Sequence, residues 1–207
     1  MSQVLNEFSN VEIDRLVYNL NSLNDVSLEI ISDSTLDVAL ANLLRILMGT
    51  LGATKGSVLI YAPFKLSFES SVSKGFEGSL YFRTIPKEIT EMTNLKGAFF
   101  LEQLEEKMPD FVKRNKQNFE KQGFVLWVPL SVKGRLVGGI TLGKKLNKED
   151  YKQTDIILLS IISNQISIAI ANFQLIDELK KTNDKLRKQN FELVDANYGI
   201  SEMRQIS

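Results

Sequence analysis

Phe124-Val-Leu-Trp-Val-Pro-Leu-Ser-Val132, then Lys133-Gly134, then Arg135-Leu-Val-Gly-Gly-Ile-Thr-Leu142 is a pair of β-rich runs joined by two residues, one of them glycine. That pattern predicts an antiparallel hairpin. Pairing Val132 with Arg135 sets the register, and directly opposed residues share a face. Val125, Trp127, Leu136, Ile140 and Leu142 then fall on one face, bulky enough to pack on helices. Leu126, Val128, Leu130, Val137, Gly139 and Thr141 fall on the other, where the two small residues leave room for a cavity. An equally good reading of that room is a single large side chain lying over Gly139 and Thr141 in a filled core.

Upstream of the hairpin the periodicity alternates between helix and strand. Val11, Leu16, Leu20, Leu23, Ser27, Ile30 and Ile31 recur at helical spacing and predict an N-terminal arm over residues 1–31, helical from about residue 11. Ser34-Thr-Leu-Asp37 has the form of a capping box, and Leu36, Leu40, Leu43, Leu44 and Leu47 follow it, with Gly49 and Gly52 ending the helix. Ser57 to Tyr61, a turn at Pro63, and Leu66, Phe68, Ser70 and Val72 in alternation predict a second hairpin. Ile85-Pro86 opens a short helix, Ala98 to Leu101 is a candidate strand, and Pro109 to Gln122 predicts a surface helix stopped by Gly123.

Downstream, Asn147-Lys-Glu-Asp150 marks a helix start. From Tyr151 to about Asn197 there is no glycine or proline, enough for one helix of about 45 residues and about 65 Å. Its first half is apolar around much of its circumference and needs burial in the domain. Beyond Asn172 a heptad pattern fits, with Leu179, Leu186, Leu193 and Ile200 at one core position and Leu175, Thr182, Gln189, Ala196 and Met203 at the other. An isolated amphipathic helix is marginal in water. Residues 172–207 are therefore expected to be a coiled-coil linker paired with a second copy, with a solvated, frayed tail as the other reading.

Composition narrows the chemistry. The 207 residues contain no cysteine and no histidine, which rules out disulfides, thiolate nucleophiles, Ser-His-Asp or Cys-His catalysis and histidine-held metals or haem. No paired-carboxylate, P-loop or glycine-rich phosphate motif is evident, so catalytic residues, cofactor and metal are all expected to be none. With 25 basic and 25 acidic residues the net charge is zero, which leaves no global attraction for nucleic acid. No uninterrupted apolar run approaches the roughly 20 residues of a membrane span, and no signal peptide stands at the start. The expected setting is cytoplasmic, with no membrane partner.

Taken together, the Phe124–Gly143 hairpin, Tyr151-x-x-x-Asp155, Leu158-Leu159 and Asn164-Gln-Ile-Ser-Ile-Ala-Ile-Ala-Asn172 resemble the C-terminal half of GAF domains, and Leu36 to Ala62 resembles the core helix and first strand. The resemblance spans about residues 20–178. It implies an α+β fold: an antiparallel sheet of about six strands with helices on both faces, a small-molecule pocket, and a long C-terminal signalling helix. It also implies a place in a signal-transduction protein ahead of a kinase, phosphatase, cyclase or transcription-factor output. Cyclic-nucleotide-binding members carry an Asn-Lys pair at the strand end and a later Phe-x-x-x-Asp-Glu. Gly143-Lys144 and Tyr151-x-x-x-Asp155-Ile156 stand here instead. Bilin-bearing members and free methionine sulfoxide reductases of this fold need cysteine, which this chain lacks.

Two functions follow as expectations. One is a non-enzymatic sensor that binds an unknown small molecule and relays it through a homodimer. Its candidate ligand contacts are Ser57, Leu59, Phe82, Phe99, Phe100, Val128, Gly139 and Thr141, and its dimer seam is Leu175, Leu179, Leu186 and Leu193. The other is a ligand-free dimerisation spacer whose cavity is filled by its own phenylalanines.

Overall fold

The computed structural model describes residues 33–205. The predicted N-terminal arm lies outside the described residues. Along the chain run α1 (Asp33–Leu51), β1 (Gly56–Ala62), β2 (Ser67–Lys74), β3 (Tyr81–Arg83), α2 (Pro86–Asn94), β4 (Phe99–Phe100), α3 (Leu101–Lys107), α4 (Pro109–Gln122), β5 (Phe124–Val132), β6 (Arg135–Gly143) and α5 (Gln153–Gln205). The strands form one six-stranded sheet in the order β3-β2-β1-β6-β5-β4, with every neighbouring pair antiparallel.

Most boundaries follow from local chemistry. Pro86 sits in the first turn of α2, where its missing N–H costs nothing. Gly123 ends α4 at φ 67°, a left-handed conformation that favours glycine. Lys133 and Gly134 both have positive φ, as a two-residue hairpin turn requires, and Val132 pairs with Arg135 as expected. Other boundaries shift. Gly49 lies inside α1, and Gly52, at φ +68°, is the residue that follows its end. The strand expected over Ala98 to Leu101 shrinks to Phe99–Phe100 because Leu101 already begins α3. The last helix starts at Gln153; Asn147 instead forms a turn, its Oδ1 accepting the Glu149 N–H at 3.1 Å.

The expected division of the hairpin into two faces does not hold. Leu130 pairs with Gly138 but Ser131 pairs with Leu136, so Val137 is an extra residue in β6. A bulge of one residue reverses the face parity of everything beyond it. Trp127 consequently opposes Thr141, and Val128 opposes Ile140. A second irregularity between Phe124 and Leu126 turns Val125 toward the helix side as well.

Two cores result, one on each side of the sheet. Leu40, Leu44 and Leu47 of α1 and Leu159, Ile162, Ile166 and Ile170 of α5 pack with Val58, Leu126, Val128, Leu130, Ile140 and Leu142. On the opposite side, α2, α3 and α4 cover Leu59, Tyr61, Phe68, Phe82, Trp127 and Leu136. Among the described residues one helical stretch, within α5, is long and apolar enough to cross a membrane, contrary to the expectation from run length. Its N-terminal half is apolar because it is the core helix of this domain, with Leu159, Ile166 and Ile170 fully buried.

The described residues divide into two compact units, with the division between Ala171 and Asn172. In the second unit Leu175, Leu179, Leu186 and Leu193 are all more than half exposed in the single chain. Phe191 and Val194 add further exposed apolar surface beside them.

Candidate functional site

Among the described residues, most of the candidate ligand contacts gather on the side of the sheet away from α1 and α5, around Trp127. The Trp127 indole has ring centroids 5.1 Å from Phe68, 5.3 Å from Phe82, 5.3 Å from Phe111 and 6.0 Å from Phe119. All five side chains are buried. Tilted and edge-on pairs of this kind contribute about 0.5–1.5 kcal/mol each beyond the area they bury.

Six of the eight predicted ligand contacts lie on this side. Ser57 opposes Thr141 and Leu59 opposes Gly139 across the β1–β6 pair, Phe82 opposes Phe68, and Phe99 opposes Trp127. Phe100 and Val128 do not belong with them. Phe100 opposes Leu126 and packs in the helix-side core, and Val128 lies in that core because of the Val137 bulge.

The six are occupied by contacts of their own. A methyl group at Gly139 would stand 2.9 Å from Trp127 Cζ2, so the glycine is the floor on which the indole rests. The Thr141 hydroxyl donates to the Leu126 carbonyl at 3.0 Å, and the Ser57 hydroxyl donates to the Val72 carbonyl at 2.9 Å. Two surface grooves, one along α5 and one near the β1–β2 turn, are lined by other residues than these eight. One polar group in the chamber is unmatched: the Trp127 Nε1–H finds no acceptor among the described residues.

Buried polar clips hold the chamber shut. Asn115 of α4 accepts the Arg83 N–H at 2.8 Å and donates to the Arg83 carbonyl at 2.9 Å, replacing a neighbouring strand along β3. Arg114 meets both oxygens of Glu88 at 2.7 and 2.8 Å, and Glu88 also accepts the Ile85 N–H at the start of α2. Sequence reading passed over Asn115, Glu88 and Arg114. The one local signal was a polar Asn between Phe111 and Phe119 on the buried side of α4.

A third cluster joins β6 to α5. Asp155 accepts from Lys145 Nζ at 2.5 Å and from the Lys152 N–H at 2.7 Å, and the Tyr151 hydroxyl donates to the Gly143 carbonyl at 2.7 Å. Burial, helped by the Asp155 charge, pushes the Tyr151 phenol above its ordinary range. Among the described residues no group of three or more carboxylates is placed to hold a metal ion.

The sequence profile of the GAF domain family matches residues 35–172, two thirds of the chain. The chain belongs to the GAF domain family. No curated relative matches it. The solved structures similar to this GAF domain include the GAF domain of an Acinetobacter phosphoenolpyruvate-protein phosphotransferase, at 16% identity and TM-score 0.56, over 82% of this chain and 98% of that one. Residues 122 to 287 of a methyl-accepting chemotaxis protein align at 17% identity and TM-score 0.54, over 76% and 98%. A free methionine-R-sulfoxide reductase from Neisseria meningitidis, solved with its substrate, aligns at 13% identity and TM-score 0.52, over 82% and 95%. At these identities the likeness establishes a shared fold. GAF domains occur in signalling proteins, and one of these neighbours is an enzyme.

Proposed function

We propose that this GAF domain is a non-catalytic dimerisation and relay module of a cytoplasmic signalling protein, with its ligand side filled by its own aromatic rings. The observation that carries the reading is the Trp127 indole seated on Gly139 among four phenylalanines, all buried, where a small molecule would otherwise lie. Two chains pair through Leu175, Leu179, Leu186 and Leu193, and the paired helices pass the arrangement of the domains to a kinase, phosphatase, cyclase or transcription-factor output. The absence of cysteine and histidine from the sequence supports the non-enzymatic assignment, because thiol chemistry such as a sulfoxide reductase performs has no nucleophile here.

A sensor of an unknown small molecule is the second reading, and the unmatched Trp127 Nε1–H favours it. A ligand with one hydrogen-bond acceptor and a flat apolar body would satisfy that donor, at the cost of displacing a phenylalanine. Thermal unfolding with a metabolite library separates the two. A ligand at 100 times its Kd adds about 2.7 kcal/mol, roughly 5–10 °C for a domain of this size. The relay reading expects no compound to shift the transition by that much; a compound that does so, and loses its effect in Trp127→Phe, overturns it.

A further inference from the structure

Phe64 is the most exposed large apolar side chain among the described residues, at 104%. The turn between β1 and β2 that displays it is fixed in place. Pro63 opens that turn, the Leu66 N–H donates to the Pro63 carbonyl at 3.3 Å, and the Thr84 N–H donates to the Leu66 carbonyl at 2.8 Å. Leu66 itself is held at φ 49°, a left-handed conformation that a leucine adopts only when its surroundings impose it. A ring presented this rigidly loses little further freedom when a partner covers it.

Beside Phe64 runs an open groove of about 620 Å³. Pro63 and Leu66, the residues that bracket Phe64 and Lys65, line it together with Ile89 of α2 and Leu136 of β6. Its one charged lining residue is Arg135, exposed at the β5–β6 turn, and Lys133 is exposed in that same turn. Among the described residues neither cation has an ion-pair partner. The carboxylates of the neighbouring elements are already engaged: Glu69 with Lys65 at 2.9 Å, Glu91 with Lys87 at 3.6 Å and Glu88 with Arg114 at 2.7 Å.

We infer that this end of the sheet is the docking surface for an acidic peptide segment of a partner protein, which lays apolar side chains in the groove against Phe64 and sets a carboxylate on Arg135. Charge decides the sign of the partner, since two unpaired cations border a groove with no carboxylate in its lining. An aromatic ring and an arginine beside an apolar groove are the side chains that most often anchor a protein interface. Asn94 of α2 favours a peptide over a lipid surface. It lines the groove with its side-chain amide unbonded among the described residues, and such an amide matches a peptide group as donor and acceptor, as Asn115 matches Arg83. A bilayer is broad and offers neither a segment to fill the groove nor a backbone to meet Asn94.

The probe is a random dodecapeptide library displayed on phage and panned against the immobilised full chain, with the enriched sequences synthesised and titrated by fluorescence anisotropy. Enriched peptides are expected to carry Asp or Glu beside apolar residues. Their Kd should rise about tenfold or more in Phe64→Ala and in Arg135→Glu, and stay at the parent value in Trp127→Phe, which separates this surface from the closed chamber. Both surface variants replace exposed side chains, and an unchanged thermal transition verifies that they fold. No enrichment, enrichment without acidic residues, or a Kd that either surface variant leaves unmoved overturns the inference. So does sedimentation with phosphatidylserine–phosphatidylcholine vesicles that Phe64→Ala abolishes, because the occupant is then a lipid surface.

Discussion

Gly139 lies beneath Trp127 on adjacent strands, so close that a single added carbon would stand 2.9 Å from Cζ2 and 3.1 Å from Cη2. The indole position and the glycine are one feature, since neither fits without the other. Gly139→Ala therefore forces the ring upward into Phe68 and Phe82. Overpacking of this kind costs about 1–3 kcal/mol, to be read as a lower midpoint in urea at unchanged slope.

Trp127→Ala removes the centre of the cluster and leaves a void that the surrounding rings fill only in part. A loss of about 3–5 kcal/mol is expected. Added indole is expected to restore part of it in this variant and to leave the parent protein unmoved. A parent protein equally stabilised by indole would mean that the chamber opens on its own.

Arg114→Ala leaves Glu88 buried with its charge uncompensated while its oxygen still accepts from Ile85. Removing one partner of a buried polar pair costs about 1–3 kcal/mol. Arg114 is 31% exposed on its side chain, which argues for the lower half of that range. Amide exchange resolves the effect, with faster exchange concentrated in α2 and α4.

The Tyr151 phenol titrates higher in the folded chain than in the unfolded one, because burial and the Asp155 charge both oppose its ionisation. A raised value in the folded state means a contribution that is complete below the unfolded value of about 10 and is lost as pH rises beyond it. Urea unfolding followed from pH 8 to 11 should show stability falling above about pH 10. In Tyr151→Phe the decline should be shallower. Some slope should persist from Tyr61, which burial also raises. An unchanged slope would remove Tyr151 from the account.

Leu179→Asp with Leu186→Asp places charge in the proposed seam. Sedimentation at micromolar concentration is expected to give a dimer for the parent and a monomer for the double variant, and both should unfold at nearly the same temperature. A parent that sediments as a monomer with residues 172–205 still helical would end the pairing proposal.

The elements were legible in the sequence because their boundaries are local. Pro86, Gly123 and the Lys133–Gly134 turn each act within a few residues of themselves. What strict alternation missed was Val137. Counting outward from the turn places Ile140 opposite Trp127, whereas the added residue brings Thr141 there and sends Val128 into the helix-side core. No alternation rule contains a bulge, although the adjacent Gly138-Gly139 marks a place where a strand can bend. The chamber residues were half legible for the same reason. Ser57, Leu59, Phe82, Phe99, Gly139 and Thr141 lie on the Trp127 side, although strict alternation sets Gly139 and Thr141 on the face opposite Trp127, and Asn115 and the Glu88–Arg114 pair act across 26 to 32 positions of sequence.

Trp127 is the single tryptophan in the chain, and it sits at the middle of the closed ring cluster. The protein thus carries a built-in optical gauge of that one chamber. While the rings stay packed its emission reports a dry, apolar setting, and a shift to longer wavelength at constant helicity would time the entry of water there, apart from any event in the long C-terminal helix.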